Sequence, residues 1–141
     1  MSDLKRFEYL RNIFTTIYIP QKVYDEISYK KELVLPDFIT ILKVKKSERL
    51  QELKIILDDG ESEAIALALD KKLPLIIDEK KGRKIALNLN IKILGLLGII
   101  YLNIKKEFIS KAEARVFLKS AQANGYRISK TLIDNMFMAL K

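Results

Sequence analysis

The sequence contains neither cysteine nor histidine among its 141 residues. The absence of cysteine excludes a disulfide framework and cysteine-ligated metals. The absence of histidine excludes Ser-His-Asp and Cys-His catalytic triads and ordinary zinc sites. Any bound metal must therefore be a hard cation held by carboxylates, that is Mg²⁺, Mn²⁺ or Ca²⁺.

Long apolar segments are missing as well. The most apolar stretch, residues 93–104, is interrupted by Asn103 and is shorter than the roughly 20 residues that a bilayer-spanning helix needs. The first residues are polar and charged, unlike a signal peptide. We therefore expect a cytoplasmic protein without a membrane partner.

The composition is that of an ordinary globular protein, with 49% hydrophobic and 31% charged residues. No repeat or Pro/Gly/Ser-rich linker interrupts the chain, which predicts a single domain over residues 1–141. The net charge is +8, and residues 101–141 carry 8 basic but only 3 acidic side chains. Such a surface attracts polyanions such as RNA, although solubility alone is an equally open explanation.

Hydrophobic spacing and capping residues predict helices that alternate with short β-branched strands. Ser47, Ser129 and the capping box Ser110–Glu113 mark three helix starts. This alternation indicates βαβ units and a mainly parallel sheet, whose ligand site lies beyond the carboxyl ends of the strands. The predicted helices are residues 3–14, 20–30, 47–57, 61–71, 82–89, 96–106, 110–123 and 129–140, and the predicted strands are 16–19, 38–44, 73–78 and 91–94.

Three pairs of acidic residues fall where strands end or helices begin. They are Asp25 with Glu26, Glu61 with Glu63, and Asp78 with Glu79. Two carboxylates 4 Å apart repel by about 4 kcal/mol at an effective dielectric of 20, and a divalent cation removes that repulsion while activating a bound water.

For each acidic pair a structural explanation competes with the functional one. Glu61 and Glu63 favour the first turn of a helix through the helix dipole, and Asp25 with Glu26 suits a solvated helix face. Asp78 favours a functional role, because it closes an apolar run predicted to be a parallel strand buried on both faces. The basic residues that follow it either clamp phosphate or form the wet face of a short helix; they are Lys80, Lys81, Arg83 and Lys84.

The order of these segments resembles the PIN-domain ribonucleases, the fold of the VapC-type toxins. Four blocks carry the resemblance: Ile17–Ile27, Asp59–Ala68 with its Gly-Glu-Ser-Glu-Ala-Ile sequence, Ile76–Arg83 and Ile93–Ile100. The resemblance implies an α/β fold, a PIN-like three-layer sandwich with a mainly parallel sheet of about four strands and helices on both faces.

The resemblance also implies a Mg²⁺- or Mn²⁺-dependent endoribonuclease, often a homodimeric toxin paired with an antitoxin protein. The acidic positions that carry over are Glu26, Glu63 and Asp78 as catalytic residues and metal ligands, with Glu79 as a further ligand. The RNA-binding candidates remain Lys80, Lys81, Arg83 and Lys84. We expect the three catalytic acids to lie in one cleft, close enough to share a cation.

The sequence departs from the PIN pattern at its start. PIN domains open with an apolar strand that carries their first aspartate, whereas this sequence begins at the following helix. We expect an N-terminally shortened member with weakened catalysis, in which segments 16–19 and 75–78 pair directly or are covered by a second chain. Two alternatives stay open: a non-catalytic PIN-fold module that binds RNA or protein, and a helix-turn-helix DNA binder built from residues 110–140.

Overall fold

A computed structural model describes residues 3–29 and 33–140, with side chains described from Phe7 onward. Over these ranges the chain combines helices with short parallel strands, and every predicted element is present. The elements are α1 (Asp3–Ile13), β1 (Ile17–Pro20), α2 (Gln21–Ile27), β2 (Ile39–Leu42), α3 (Glu48–Ile56), α4 (Asp59–Lys71), β3 (Leu75–Ile76), α5 (Lys80–Asn88), β4 (Ile93–Leu94), α6 (Leu96–Lys105), α7 (Lys111–Ala123) and α8 (Lys130–Ala139). The predicted end of the second helix, near Lys30, lies outside the described residues.

The chain divides into two compact units. A helical unit takes in the chain up to Thr15 together with the segment from Leu96 onward, and an α/β unit takes in Thr16–Gly95. All of the predicted site residues belong to the α/β unit. The single domain predicted from the sequence stays a prediction.

The strands of the α/β unit pair two by two, and both pairs are parallel. β1 pairs with β2 in the register Ile17 to Ile39, and β3 pairs with β4 in the register Leu75 to Ile93. The described residues therefore give parallel strands but no single sheet of four, and β1 does not pair with β3. The first of the two alternatives expected for segments 16–19 and 75–78, direct pairing, is not observed.

The segment before Asp78 differs from the sequence prediction. The strand covers only Leu75–Ile76, and it alternates, with Leu75 buried and Ile76 38% exposed. The prediction of a strand buried on both faces was wrong, because a continuous apolar run does not reveal which side chains meet a neighbouring layer.

The core of the α/β unit lies between α3, α4, α5 and the β3–β4 pair. Ile65 of α4 and Ala86 of α5 are completely buried, and Leu53, Leu57, Leu75, Ile77 and Ile91 pack around them. Side chains cap the helices at the predicted places or next to them: Ser47 accepts from the Leu50 N–H, and Asp58 accepts from the Glu61 N–H at 2.8 Å. These caps fix where α3 and α4 begin, and hence where their acidic residues lie.

The helical unit encloses a second core. Ile100 of α6, Leu118 of α7 and Phe137 of α8 are buried, and the rings of Tyr9 and Phe117 meet edge to face with centroids 4.8 Å apart. The predicted capping box is present, with the Ser110 side chain accepting from the Glu113 N–H and the Glu113 carboxylate accepting from the Ser110 N–H. No helix in the described ranges is both long enough and apolar enough to cross a membrane.

Candidate functional site

Glu26 and Glu63 lie on facing helices, and each reaches toward the start of the other's helix. The Glu63 carboxylate accepts a hydrogen bond from the backbone N–H of Lys22, the second residue of α2, at 3.2 Å. The Glu26 carboxylate lies so close to Gly60, the second residue of α4, that a Cβ there would sit 2.7 Å from Oε2. Helix starts carry unpaired N–H groups and partial positive charge, so both acids are favourably placed.

Asp78 follows β3 and lies against a second glycine. A Cβ added at Gly95 would come within 2.6 Å of its Oδ1. Gly95 directly follows β4, the partner strand of β3. The carboxylate therefore occupies the carboxyl end of the β3–β4 pair, where ligand sites of parallel sheets are found.

Glu79 is the N-cap of α5. Its carboxylate accepts from the N–H groups of Lys81 at 3.0 Å and Gly82 at 2.6 Å. The hydrogen bond from the Gly82 N–H is the largest of the causes that lower the pKa of Glu79. The basic residues of the same helix are all exposed to solvent; they are Lys80, Lys81, Arg83 and Lys84.

Glu61 is the most perturbed acid of the described chain. Burial raises its pKa to about 8, and the neighbouring carboxyl groups of Asp58 and Glu79 contribute to the same rise. Its Oε2 is buried and meets no hydrogen-bond donor among the described residues, and a Cβ at Gly82 would lie 2.8 Å from it. A proton on Glu61 removes the buried charge and lets the carboxyl group donate one hydrogen bond, to the carboxylate of Asp58 or of Glu79.

Sequence reasoning treated Glu61 chiefly as a first-turn residue and gave Asp58 no role. The side-chain hydrogen bond with Glu61 is the largest of the causes that lower the pKa of Asp58. The Glu-Ser-Glu spacing could have indicated this difference. Residues two apart point to different sides of a helix, so Glu61 and Glu63 should contact different neighbours. Glu63 meets α2, and Glu61 meets the start of α5.

The acids of the α/β unit lie at three places. Glu26 and Glu63 each lie against the start of the facing helix, α4 and α2 respectively. Glu79 and Asp58 lie next to Glu61, and Asp78 lies against Gly95. Oxygen ligands are what Mg²⁺ and Mn²⁺ prefer, so the donor type is suitable. The arrangement does not fit, because no three acidic side chains in the described ranges are placed to hold a metal ion. The shared cation of Glu26, Glu63 and Asp78 stays a prediction.

A family model described as a PIN domain matches residues 1–141. The chain therefore belongs to the PIN-domain superfamily, as its four sequence blocks predicted. No curated protein and no solved structure matches it. Membership gives the chain a nuclease-like fold.

The contact between Glu26 and Gly60 can be tested by Gly60→Ala. The new methyl group displaces the Glu26 carboxylate, but this side chain is exposed and flexible, and alanine suits a helix better than glycine by about 1 kcal/mol. We expect the free energy of unfolding to change by less than about 1 kcal/mol, measured by urea denaturation. A loss of more than twice that amount contradicts a mobile Glu26. The control is Gly125→Ala, because nothing lies within 4 Å of that position but its φ is +98°, so this variant measures the cost of backbone strain alone.

Proposed function

We propose that this PIN domain acts on RNA, binding it through the exposed cations of α5 next to the acids of the α/β unit. One observation carries the proposal: four solvent-exposed cations follow Asp78 and Glu79 in the sequence. They are Lys80, Lys81, Arg83 and Lys84. RNA backbones are bound mainly by such cations. A phosphodiester held there lies beside the carboxyl end of the β3–β4 pair.

The finer proposal is an endoribonuclease of the toxin–antitoxin type, in the VapC-like branch of the superfamily, that uses Mg²⁺ or Mn²⁺. Glu26, Glu63 and Asp78 are its proposed catalytic residues, with Glu79 as an additional ligand. Because no three acidic side chains of the described residues are placed to hold a metal ion, we expect weak or no cleavage from this 141-residue chain. RNA binding does not depend on those carboxylates and should persist.

The test incubates labelled single-stranded RNA with the protein in Mn²⁺ and follows binding and cleavage separately. We expect binding whose affinity falls with salt, with a log–log slope of about −0.7 per phosphate neutralised. Asp78→Asn is compared with Asp70→Asn, a matched change at an exposed position of α4. Strong cleavage that Asp78→Asn abolishes and Asp70→Asn preserves overturns the expectation of weak catalysis and establishes the nuclease. Absence of RNA binding at low salt overturns the whole proposal.

A non-catalytic PIN-fold module is the second candidate, and one observation favours it. The Glu63 carboxylate accepts a backbone N–H, and Glu79 caps α5 with two such bonds, so both acids have structural roles that require no cation. RNA binding with no cleavage in either Mg²⁺ or Mn²⁺ selects this candidate.

Association with a second chain belongs to the same proposal. β1 pairs only with β2 and β3 only with β4 among the described residues, and strand edges tend to recruit a further chain. We propose a homodimer, or a complex with a cognate antitoxin protein, in which a second chain covers these edges. Light scattering after size-exclusion chromatography measures the mass, and a monomer across the micromolar range contradicts the homodimer.

A further inference from the structure

One face of α7 carries a row of cations. Lys111, Arg115 and Lys119 follow one another at intervals of four residues, and all three are exposed. Residues four apart lie on the same side of a helix, so the row extends for about 12 Å along the axis. No ion pair within the described part of the chain involves any of the three.

The middle cation of this row lies over an aromatic ring. The Arg115 guanidinium lies over the ring of Phe137 on α8, 3.9 Å from the ring centroid. Phe137 is buried, whereas Arg115 is exposed, so the guanidinium lies between the ring and solvent. A ligand that binds such a cation restricts little further side-chain motion, so the loss of side-chain entropy on binding is small. The planar group also offers a surface for stacking.

Little negative charge opposes the row. From Lys111 to the end of the sequence there are six basic and two acidic residues. Of the two acids, Glu113 is engaged in the capping box of α7, and Asp134 lines a shallow surface depression together with Lys111, Arg115, Phe137 and Met138. The surface therefore has an excess of positive charge beside an exposed apolar side chain, Met138.

We propose that the α7 row, defined as Lys111, Arg115 and Lys119, is a binding surface for single-stranded RNA. The two lysines contact backbone phosphates, and the solvent-facing side of the Arg115 guanidinium stacks on a base. Arginine planes are recurrent platforms for unstacked RNA bases. This inference rests on the proposed function, since it assigns a second contact for the same substrate class.

A single-stranded nucleic acid suits this surface better than an acidic protein. Both satisfy the two lysines, but a ring-backed guanidinium with an open face matches the flat base that every nucleotide carries. An acidic peptide is bound through charge and N–H···O hydrogen bonds, and neither uses the solvent-facing side of the guanidinium as a stacking surface. This difference separates the two partners experimentally.

The experiment uses the full chain and a short single-stranded RNA that contains 2-aminopurine, whose fluorescence is quenched on stacking. The triple variant Lys111→Gln, Arg115→Gln, Lys119→Gln is compared with Lys54→Gln, Lys92→Gln, Lys106→Gln, which removes the same charge at scattered exposed positions. We expect the row variant to bind RNA at least roughly tenfold more weakly than the scattered control, with a salt slope shallower by about 1.4, that is about 0.7 for each of the two lysines. Circular dichroism checks that both variants are folded.

Arg115→Lys isolates the stacking. We expect it to keep most of the salt slope and lose the quenching of 2-aminopurine. If the wild type binds RNA and the row variant matches the scattered control, the α7 row is not an RNA surface, while the proposed function stands. If the wild type binds no RNA, the proposed function and this inference both fail. If quenching survives in Arg115→Lys, the assignment of the α7 row to RNA is overturned. The same follows if the row variant still binds RNA normally and loses only its binding to polyglutamate, which serves as the acidic peptide.

Discussion

Replacing Glu61 by glutamine will stabilise the protein at pH 8 and leave it nearly unchanged at pH 4.5. Burial, helped by Asp58 and Glu79, raises the pKa of Glu61 from 4.5 to about 8. Between these values the folded protein holds a proton that the unfolded chain has released. The wild type therefore loses stability as the pH rises through this window, whereas the glutamine variant has no charge to bury at this position.

The lowered pKa values of Asp58 and Glu79 do not disturb this window. Groups of that kind contribute stability that is present above their unfolded pKa and lost only at lower pH. We expect an advantage for Glu61→Gln of about 1–2 kcal/mol at pH 8, well below the full value of the shift because solvent screens the exposed part of the side chain. Urea denaturation from pH 4.5 to 8.5 in the presence of a chelator measures it.

The same substitution at Glu52, an exposed residue of α3, is the control for the loss of one negative charge. An advantage of Glu61→Gln that is equal at pH 5 and pH 8, or that Glu52→Gln reproduces, shows that Glu61 is not the proton-holding group. The result also bears on the metal. A carboxyl group protonated at neutral pH is a poor ligand unless the cation displaces the proton, so Mn²⁺ that binds here will release one.

Local signals in the sequence predicted the elements well. Serine caps and the Ser110–Glu113 box act within a few residues, so the starts of α3, α7 and α8 follow from the sequence alone. Strand lengths did not follow, because the extent of β3 depends on its pairing with β4, which lies well beyond α5 along the chain. For the same reason the sequence could not show that the strands pair two by two.

The candidate site was predicted at the level of positions but not of neighbours. The sequence placed acids in α2, in the first turn of α4 and after β3, and they are there. The positions of three acidic side chains depend on close approaches to glycines: Glu26 lies against Gly60, Glu61 against Gly82, and Asp78 against Gly95. Those glycines appear in the sequence only as breaks and turns, because their contacts join residues distant along the chain.

The buried polar residue of the helical unit is the second place where a single substitution should have a large effect. Asn103 of α6 is fully buried. Its amide donates to the backbone carbonyls of Tyr9 at 3.1 Å and Ile99 at 2.9 Å, and its carbonyl oxygen accepts from the Asn12 amide at 2.9 Å. Two of these three hydrogen bonds tie α6 to α1, and all three satisfy a polar side chain inside an apolar helix.

We expect Asn103→Ala to lower the free energy of unfolding by about 3 kcal/mol, measured by urea denaturation. The substitution removes all three hydrogen bonds of a fully buried side chain, each worth about 0.5–1.5 kcal/mol, and leaves a cavity. Asn103→Leu restores the volume but not the bonds, so it should recover only the cavity part of the loss. Asn12→Ala removes one bond at a partly buried position and should cost about 1 kcal/mol. If Asn103→Leu is as stable as the wild type, packing alone joins α1 to α6 and the amide network contributes nothing to their association.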